Sequence, residues 1–234
     1  MDRNFAHNTP NAVHEHGELT QSKAMMLFPH VQQNAQAELD AVVGPDRLPK
    51  IEDFDSLPYL RQTTKEALRC KYTYRYLSSH PIKLFALFRN AESAPGLPTA
   101  ISGAIPHAAL SDDVVDGYKI PAGTTVVMAV WSANNDPQLF PNPRDFDPSR
   151  HNSDLSFSEA ASAADYRHRD QWTFGAGRRI CPGIHIAERT LFLAAARLLW
   201  TFNFRKAQDA SGREIDVDRD EVTQSIAARP VSFP

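Results

Sequence analysis

Apolar residues fall into separated runs along the chain, each with its own period. Over residues 23–43, Met25, Met26, Phe28, Val31, Ala35, Leu39 and Val42 recur at three- and four-residue steps, which is the spacing of one helix face. Pro29 lies inside that run and predicts a kink or the start of a new helix, and Gly44-Pro45 predicts its end. Residues 51–57 read as a short linker, and Leu57-Pro58 opens a further helix that reaches about Cys70. Residues 118–120 and 124–131 read as strands around a Pro121-Ala122-Gly123 turn. The prolines of residues 134–143 predict a short helix and loops. Residues 154–171 are polar and rich in Ala and Ser. Residues 184–200 then carry a long helical pattern through Ile184, Ala187, Leu191, Ala194, Ala195 and Leu198. Apolar residues on most of its faces predict burial, with Glu188 and Arg189 as surface or ion-paired exceptions. Residues 202–234 predict short strands with a turn at 209–212.

The flanks read differently. Residues 1–22 are dominated by Asn, His, Thr, Pro, Glu and Gln and read as a solvated, disordered tail. His7, His14 and His16 within it could suggest a metal site, but no cysteine or second ligand cluster accompanies them. Residues 71–89 are rich in Tyr, Phe, Ser and basic residues, have no clear period, and meet no acid until Glu92.

The chain has 234 residues, enough for one or two domains with a real core. Its 25 Lys+Arg against 28 Asp+Glu leave a formal charge of −3, which gives no reason to expect nucleic acid or an anionic membrane as partner. The only cysteines are Cys70 and Cys181, and two in a chain this size do not read as a secreted disulfide framework. No apolar run reaches the length of a membrane helix, and the polar start Met1-Asp2-Arg3-Asn4 does not read as a signal peptide.

Chemistry concentrates in Phe174, Gly175, Ala176, Gly177, Arg178, Arg179, Ile180, Cys181, Pro182 and Gly183, just ahead of the long helical pattern. A thiolate can be a nucleophile or a metal ligand, but no histidine base or second cysteine sits near Cys181. Triad and zinc readings therefore fit poorly. A helix N-terminus offers unpaired N–H groups and a positive dipole end, which favour an anionic sulfur. Gly177 and Gly183, with Gly175, would let the backbone turn sharply and a flat ligand come close. Pro182 suits a first helical turn. Phe174 offers an aromatic face, and Arg179 a charged fork for a carboxylate. A flat ligand with carboxylates held by one sulfur is haem with an axial thiolate. The bland alternative is a structural cysteine in a Gly-rich turn, in a protein that binds no haem.

The stretch resembles the haem signature of the cytochrome P-450 family, Phe-x-x-Gly-x-Arg-x-Cys-x-Gly, at Phe174, Gly177, Arg179, Cys181 and Gly183. Lys65-Glu66-Ala67-Leu68-Arg69 resembles the family's Glu-x-x-Arg helix motif. Residues 140–151 resemble its Pro-x-Arg-Phe segment, with Arg150 in the arginine position and His151 where Phe is usual. The resemblance implies that Glu66, Arg69 and Arg150 form a buried charge network, which an unaided reading would take as a surface ion pair and a loop arginine. Ile105-Pro106-His107 is similar to the segment whose basic residue meets a haem propionate, so His107 becomes a candidate.

By resemblance the fold is mainly α with small β-sheets, the C-terminal portion of the cytochrome P-450 fold. Residues 1–22 form a non-family tail and 23–234 a partial domain, interrupted by an insertion at about 72–92. The resemblance corresponds to the C-terminal half of the family. No Ala/Gly-Gly-x-Asp/Glu-Thr-Thr distal-helix segment is found, so no catalytic residue is assigned and the expected site is the proximal wall alone. The implied activity is a haem-thiolate monooxygenase using haem b (iron protoporphyrin IX), with Cys181 as axial iron ligand. Electrons would come from NADPH through a flavoprotein reductase, and the substrate would be a small lipophilic organic molecule. The alternative is a truncated, inactive fragment. Residues 172–200 look like fungal members, which implies secondary metabolism. Full-length relatives would sit at the endoplasmic reticulum membrane, and an anchor-less chain in the cytoplasm.

Overall fold

The computed structural model describes residues 16–70 and 107–217. The insertion expected at about 72–92, and the strands expected beyond residue 217, lie outside these residues. Ten elements follow in order: α1 (His16–Leu27), α2 (Pro29–Val42), α3 (Pro58–Arg69), β1 (His107–Ala108), β2 (Asp113–Val115), β3 (Tyr118–Ile120), β4 (Thr125–Val126), α4 (Val130–Asn134), α5 (Phe157–Ala161) and α6 (Ile184–Thr201). Pro29 starts α2 as a first-turn residue, where its missing N–H costs nothing. The chain turns at Phe28, whose ring stacks on Phe146 at 5.7 Å between centroids. α1 begins at His16, so the tail expected over 1–22 is helical in its last part.

The main core lies where α1, α2, α3 and α6 meet: Met25, Val31, Ala35, Leu39, Leu60, Phe192, Ala196 and Leu199 are all buried there. Polar residues buried or half-buried among them act as caps across long sequence distances. Glu38 on α2 accepts the N–H groups of Tyr59 and Leu60 at 2.8 and 2.9 Å, supplying α3 with the cap that its own N-cap residue, Leu57, lacks. Gln36 donates to the carbonyls of Leu199 and Phe202 at 3.1 and 3.0 Å, closing the C-terminus of α6. Gln32 and the backbone of Phe204 exchange two hydrogen bonds, of 3.1 and 2.7 Å.

The sheets are small. β1 pairs with β4 and β2 with β3, both antiparallel. Asp116 and Gly117 have φ of 51° and 84°, so the β2–β3 hairpin turns on two left-handed residues. Asp-Gly is a strong short-range hairpin signal that the pattern of apolar residues passes over. The strand expected over 124–131 shortens to β4, and Val130 begins α4 instead. A short apolar run is ambiguous between strand and helix, and here the N–H groups of Ala133 and Asn135 donate helical backbone bonds to the carbonyls of Ala129 and Trp131. Beyond α6 the described chain has only an isolated bridge, Gln208 to Glu214, around a turn in which Gly212 donates to Asp209.

α6 spans the expected range but is buried on one side only. Ile184, Glu188, Phe192, Ala195, Ala196, Leu199 and Trp200 face inward, while His185, Arg189, Thr190 and Arg197 are exposed and Ile186 is 74% exposed. Glu188 is not a surface residue and has no ion pair among the described residues: it is buried and accepts the Phe157 N–H at 2.8 Å, capping α5. Burial pushes its carboxyl above the usual range, which that hydrogen bond only partly offsets.

Candidate functional site

α3 carries an unusual load for a helix interior. Thr63, Thr64, Lys65, Glu66 and Arg69 are all buried. Thr63 and Thr64 satisfy their hydroxyls on the carbonyls four residues back, at 2.8 and 2.9 Å. Glu66 and Arg69 lie one turn apart, and both side chains are fully buried. Arg69 grips Glu66 through Nε and Nη2, both at 2.8 Å, and the bidentate geometry fixes both groups. Its remaining donors reach the carbonyls of Asn134 at 2.7 Å and Pro143 at 2.9 Å. Arg150 approaches from the 3-10 turn Pro148–Arg150 and places Nε 3.1 Å from Glu66 Oε1. The Asp147 N–H joins the same oxygen at 3.0 Å. The structure thus brings Glu66, Arg69 and Arg150 together around one carboxylate. Burial alone would raise the Glu66 carboxyl, but the hydrogen bonds and charges of Arg69 and His151 outweigh it and hold the pKa at about 2.

His151 also belongs to this cluster. Its ring Nε2 lies 2.6 Å from Glu66 Oε2, and the residue is 2% exposed. On its far side stands Asp170, which pairs with the buried Lys65 at 2.5 Å. The only sequence signal was a histidine at a position where phenylalanine is usual.

Two residues beyond Asp170 the cysteine loop begins. The Trp172 N–H donates to Asn134 Oδ1 at 2.7 Å, and the Thr173 hydroxyl donates to the Leu68 carbonyl at 3.1 Å. The loop is therefore hung from the C-terminal end of α3 and from α4. Phe174 and Ile180 turn inward onto a second apolar cluster of Leu68, Phe157, Ala161 and Ile184. Phe174 meets Phe157 at 5.9 Å, so much of its aromatic surface serves as the loop's anchor. Between those anchors the main chain doubles back: Gly175 donates to Trp172 at 3.0 Å, Ile180 to Gly177 at 3.1 Å, and Cys181 to Phe174 at 2.9 Å. Gly175 and Gly177 take φ of 83° and 64°, in the left-handed region where a Cβ is strained. Gly183 differs from that expectation: its φ is −82°, and a Cβ there would stand 3.8 Å from the Cys181 sulfur. A Cβ there would make only an ordinary contact with the sulfur, so neither backbone strain nor crowding among the described residues requires glycine at this position. Pro182 sits ahead of the α6 N-cap, Gly183, and is not inside the first turn.

Cys181 is a free, half-buried thiol, and its carbonyl accepts the Ile184 N–H at 3.3 Å as α6 begins. Arg178 and Arg179 are exposed, and neither forms an ion pair among the described residues. The Trp172 indole N–H is buried without a partner. A half-open sulfur and exposed guanidinium groups on one loop are compatible with a ligand that carries acidic groups and sits against the sulfur. His107 stands apart: it is exposed on β1, opposite Val126, with no hydrogen bond to the loop among the described residues.

Comparison with known proteins agrees on a single family. The family model "Cytochrome P450" matches residues 23–83 and 98–227. A cytochrome P450 monooxygenase of Aspergillus niger, yanC, is 44% identical over 207 residues, covering 88% of this chain and 33% of the relative. Another from Penicillium terrestre, macC, is 41% identical over 206 residues, again covering 88% of this chain and 33% of the relative. Among solved structures, a zebra fish cytochrome P450 with progesterone superposes with a TM-score of 0.58 at 27% identity, covering 83% of this chain and 37% of that one. The chain thus spans about a third of the length of the curated relatives it matches, less than the half expected from the motifs alone.

Proposed function

This chain belongs to the cytochrome P450 family, and we propose that it supplies the thiolate side of a haem monooxygenase site, with Cys181 as the axial iron ligand. The observation that carries this reading is the loop itself. A free, half-buried sulfur follows two left-handed glycines and is held by an apolar anchor at Phe174 and Ile180. Haem bound there would supply the dioxygen chemistry, and a thiolate ligand would favour cleavage of the O–O bond. The chain's own residues bind and orient. Cys181 would hold the iron through sulfur. Arg179 offers its guanidinium to a propionate, with His107 as a second candidate. Gly177 and Gly183 admit the flat ring, and Phe174 fixes where the loop starts. Glu66, Arg69 and Arg150 hold α3 and the residue 140–151 segment as a rigid support beneath the loop, where misplacement of the sulfur would be costly.

The rest of the reading is general to the family. Electrons would reach the site from NADPH through a flavoprotein reductase, the cofactor would be haem b, and the substrate a small lipophilic molecule, in fungal secondary metabolism. Full-length proteins of this kind would sit at the endoplasmic reticulum. No helix among the described residues is long and apolar enough to cross a membrane. Residues 72–92 are read as an insertion foreign to the fold that comes from translated intron, and sequencing the transcript across residues 69–106 tests that: a spliced message carrying all these codons as ordinary exon removes it.

A second reading has its own observation. Because the chain spans a third of its relatives, it is also consistent with an inactive fragment that keeps only the proximal wall. The discriminating experiment is the spectrum of the haem-reconstituted chain, reduced and exposed to carbon monoxide, beside Cys181→Ser. A red-shifted Soret band lost in the variant supports thiolate ligation, and a band indifferent to the change defeats it. Oxidation of a probe substrate with reductase and NADPH then separates enzyme from fragment.

A further inference from the structure

His151 is the buried group that the family pattern leaves unexplained. Its Nε2 faces Glu66 Oε2 at 2.6 Å, and its Nδ1 faces Asp170 Oδ1 at 3.7 Å. The charged groups around the ring come from three segments. α3 presents Glu66 and Lys65, with Arg69 behind Glu66. Its own turn presents Arg150, which holds the other oxygen of Glu66. The stretch before the cysteine loop presents Asp170, whose second oxygen is held by Lys65. Gln62 and Lys65 fix the adjoining backbone, donating to the carbonyls of His151 and Asn152 at 2.7 and 2.6 Å.

A neutral imidazole donates from one nitrogen and presents a lone pair at the other. Here both ring nitrogens face carboxylates inside the protein. Nδ1 is buried with no hydrogen-bond partner among the described residues, Asp170 lying at ion-pair distance; a lone pair there would face an anionic oxygen, whereas a proton would give an ion-pair contact. With both nitrogens protonated, the ring is attracted to both acids.

We infer that His151 is a positioning residue: its doubly protonated ring bridges Glu66 and Asp170 and tethers the stretch entering the cysteine loop to α3. Asp170 is immediately followed by the residues that hang the loop, where Trp172 bonds to Asn134 and Thr173 to Leu68. The bridge is therefore the first of a row of ties that set where Phe174 begins. Phenylalanine at this position would fill the space and make neither contact. The role presumes that the Cys181 loop is the working site, but its test needs no haem, so a failure here and a failure of haem binding are separate results.

The test uses the full chain with ¹⁵N-labelled histidine, in the natural form and as His151→Phe, Asp170→Asn and the double variant. Phe keeps an aromatic ring and is the residue of the family motif that this segment resembles, and Asp170→Asn breaks the bridge from the other end. At about pH 7, both ring nitrogens of His151 should show the shifts of protonated imidazolium. Amide hydrogen exchange over residues 171–174 should rise about tenfold in either single variant, with α2 and α6 unchanged. The double variant should add nothing further. Raising the pH until the ring loses a proton should bring the natural chain's exchange to that of His151→Phe. A ring with one protonated nitrogen, additive effects, or exchange that rises equally throughout would overturn the assignment.

Discussion

α3 and the cysteine loop lie side by side and are held by opposite means. α3 is fixed by side chains: Glu66 alone receives Arg69, Arg150, His151 and the Asp147 N–H, and it has no exposure to water. The loop is fixed by main chain: turns at Gly175 and Gly177, a Cys181–Phe174 backbone bond, and two apolar anchors. Its charged residues, Arg178 and Arg179, point to water. The difference teaches where each region is vulnerable. A buried ionic cluster fails when one partner goes, because the others remain charged and unpaired. A turn-built loop fails when backbone freedom goes, and tolerates loss of the side chains it displays.

The sharpest way to break this contrast is Glu66→Ala. Removing the shared acceptor should cost about 3–5 kcal/mol or leave the chain unfolded, read by urea unfolding. A loss under about 1 kcal/mol would show that the cluster does not hold the fold. Acid should do the same reversibly. Burial opposes ionisation of Glu66, yet its partners hold the folded pKa at about 2 against an ordinary value of 4.5. The contribution is therefore complete above about pH 4.5 and lost as pH falls toward 2, on the order of 3 kcal/mol in all. Glu66→Gln should flatten that slope in acid titrations of stability.

The loop should respond more mildly. Gly175→Ala and Gly177→Ala each force a side chain into the left-handed region and should cost about 1–2 kcal/mol by thermal unfolding. Gly183→Ala, at negative φ, should cost less in stability. Cys181→Ser and Arg178→Ala should fall within about 0.5 kcal/mol of the natural chain. If Cys181→Ser destabilised as much as Glu66→Ala, the sulfur would be a core residue and the contrast between the two regions would collapse.

The sequence was legible in the two regions to different depths. The turns at Gly175 and Gly177 could be read from residue types alone, because glycine there means backbone freedom, whereas Gly183 and Pro182 stand elsewhere than their types suggested. α3 could not, because Thr63, Thr64, Lys65, Glu66 and Arg69 spell a surface helix by composition, and only resemblance to a known motif pointed inward. The reason is that each polar group finds its partner far along the chain: Arg69 meets Pro143 and Glu66 meets His151. Glu188 escaped for the same cause, its donor Phe157 lying on another element. The hairpin at Asp116-Gly117 carried a purely local signal that the apolar period did not include.

The bonds between Gln32 and Phe204 have a consequence for synthesis. These partners are separated by 172 positions, so α2 leaves the ribosome with buried-to-be amides that cannot be satisfied until the end of α6 has been made. At roughly 5–20 residues per second, the delay is on the order of ten seconds or more. During that interval the apolar face of α2 has no α6 to cover it. Newly made chains in that state are candidates for chaperone capture, and a ribosome stalled before Phe204 would hold them there.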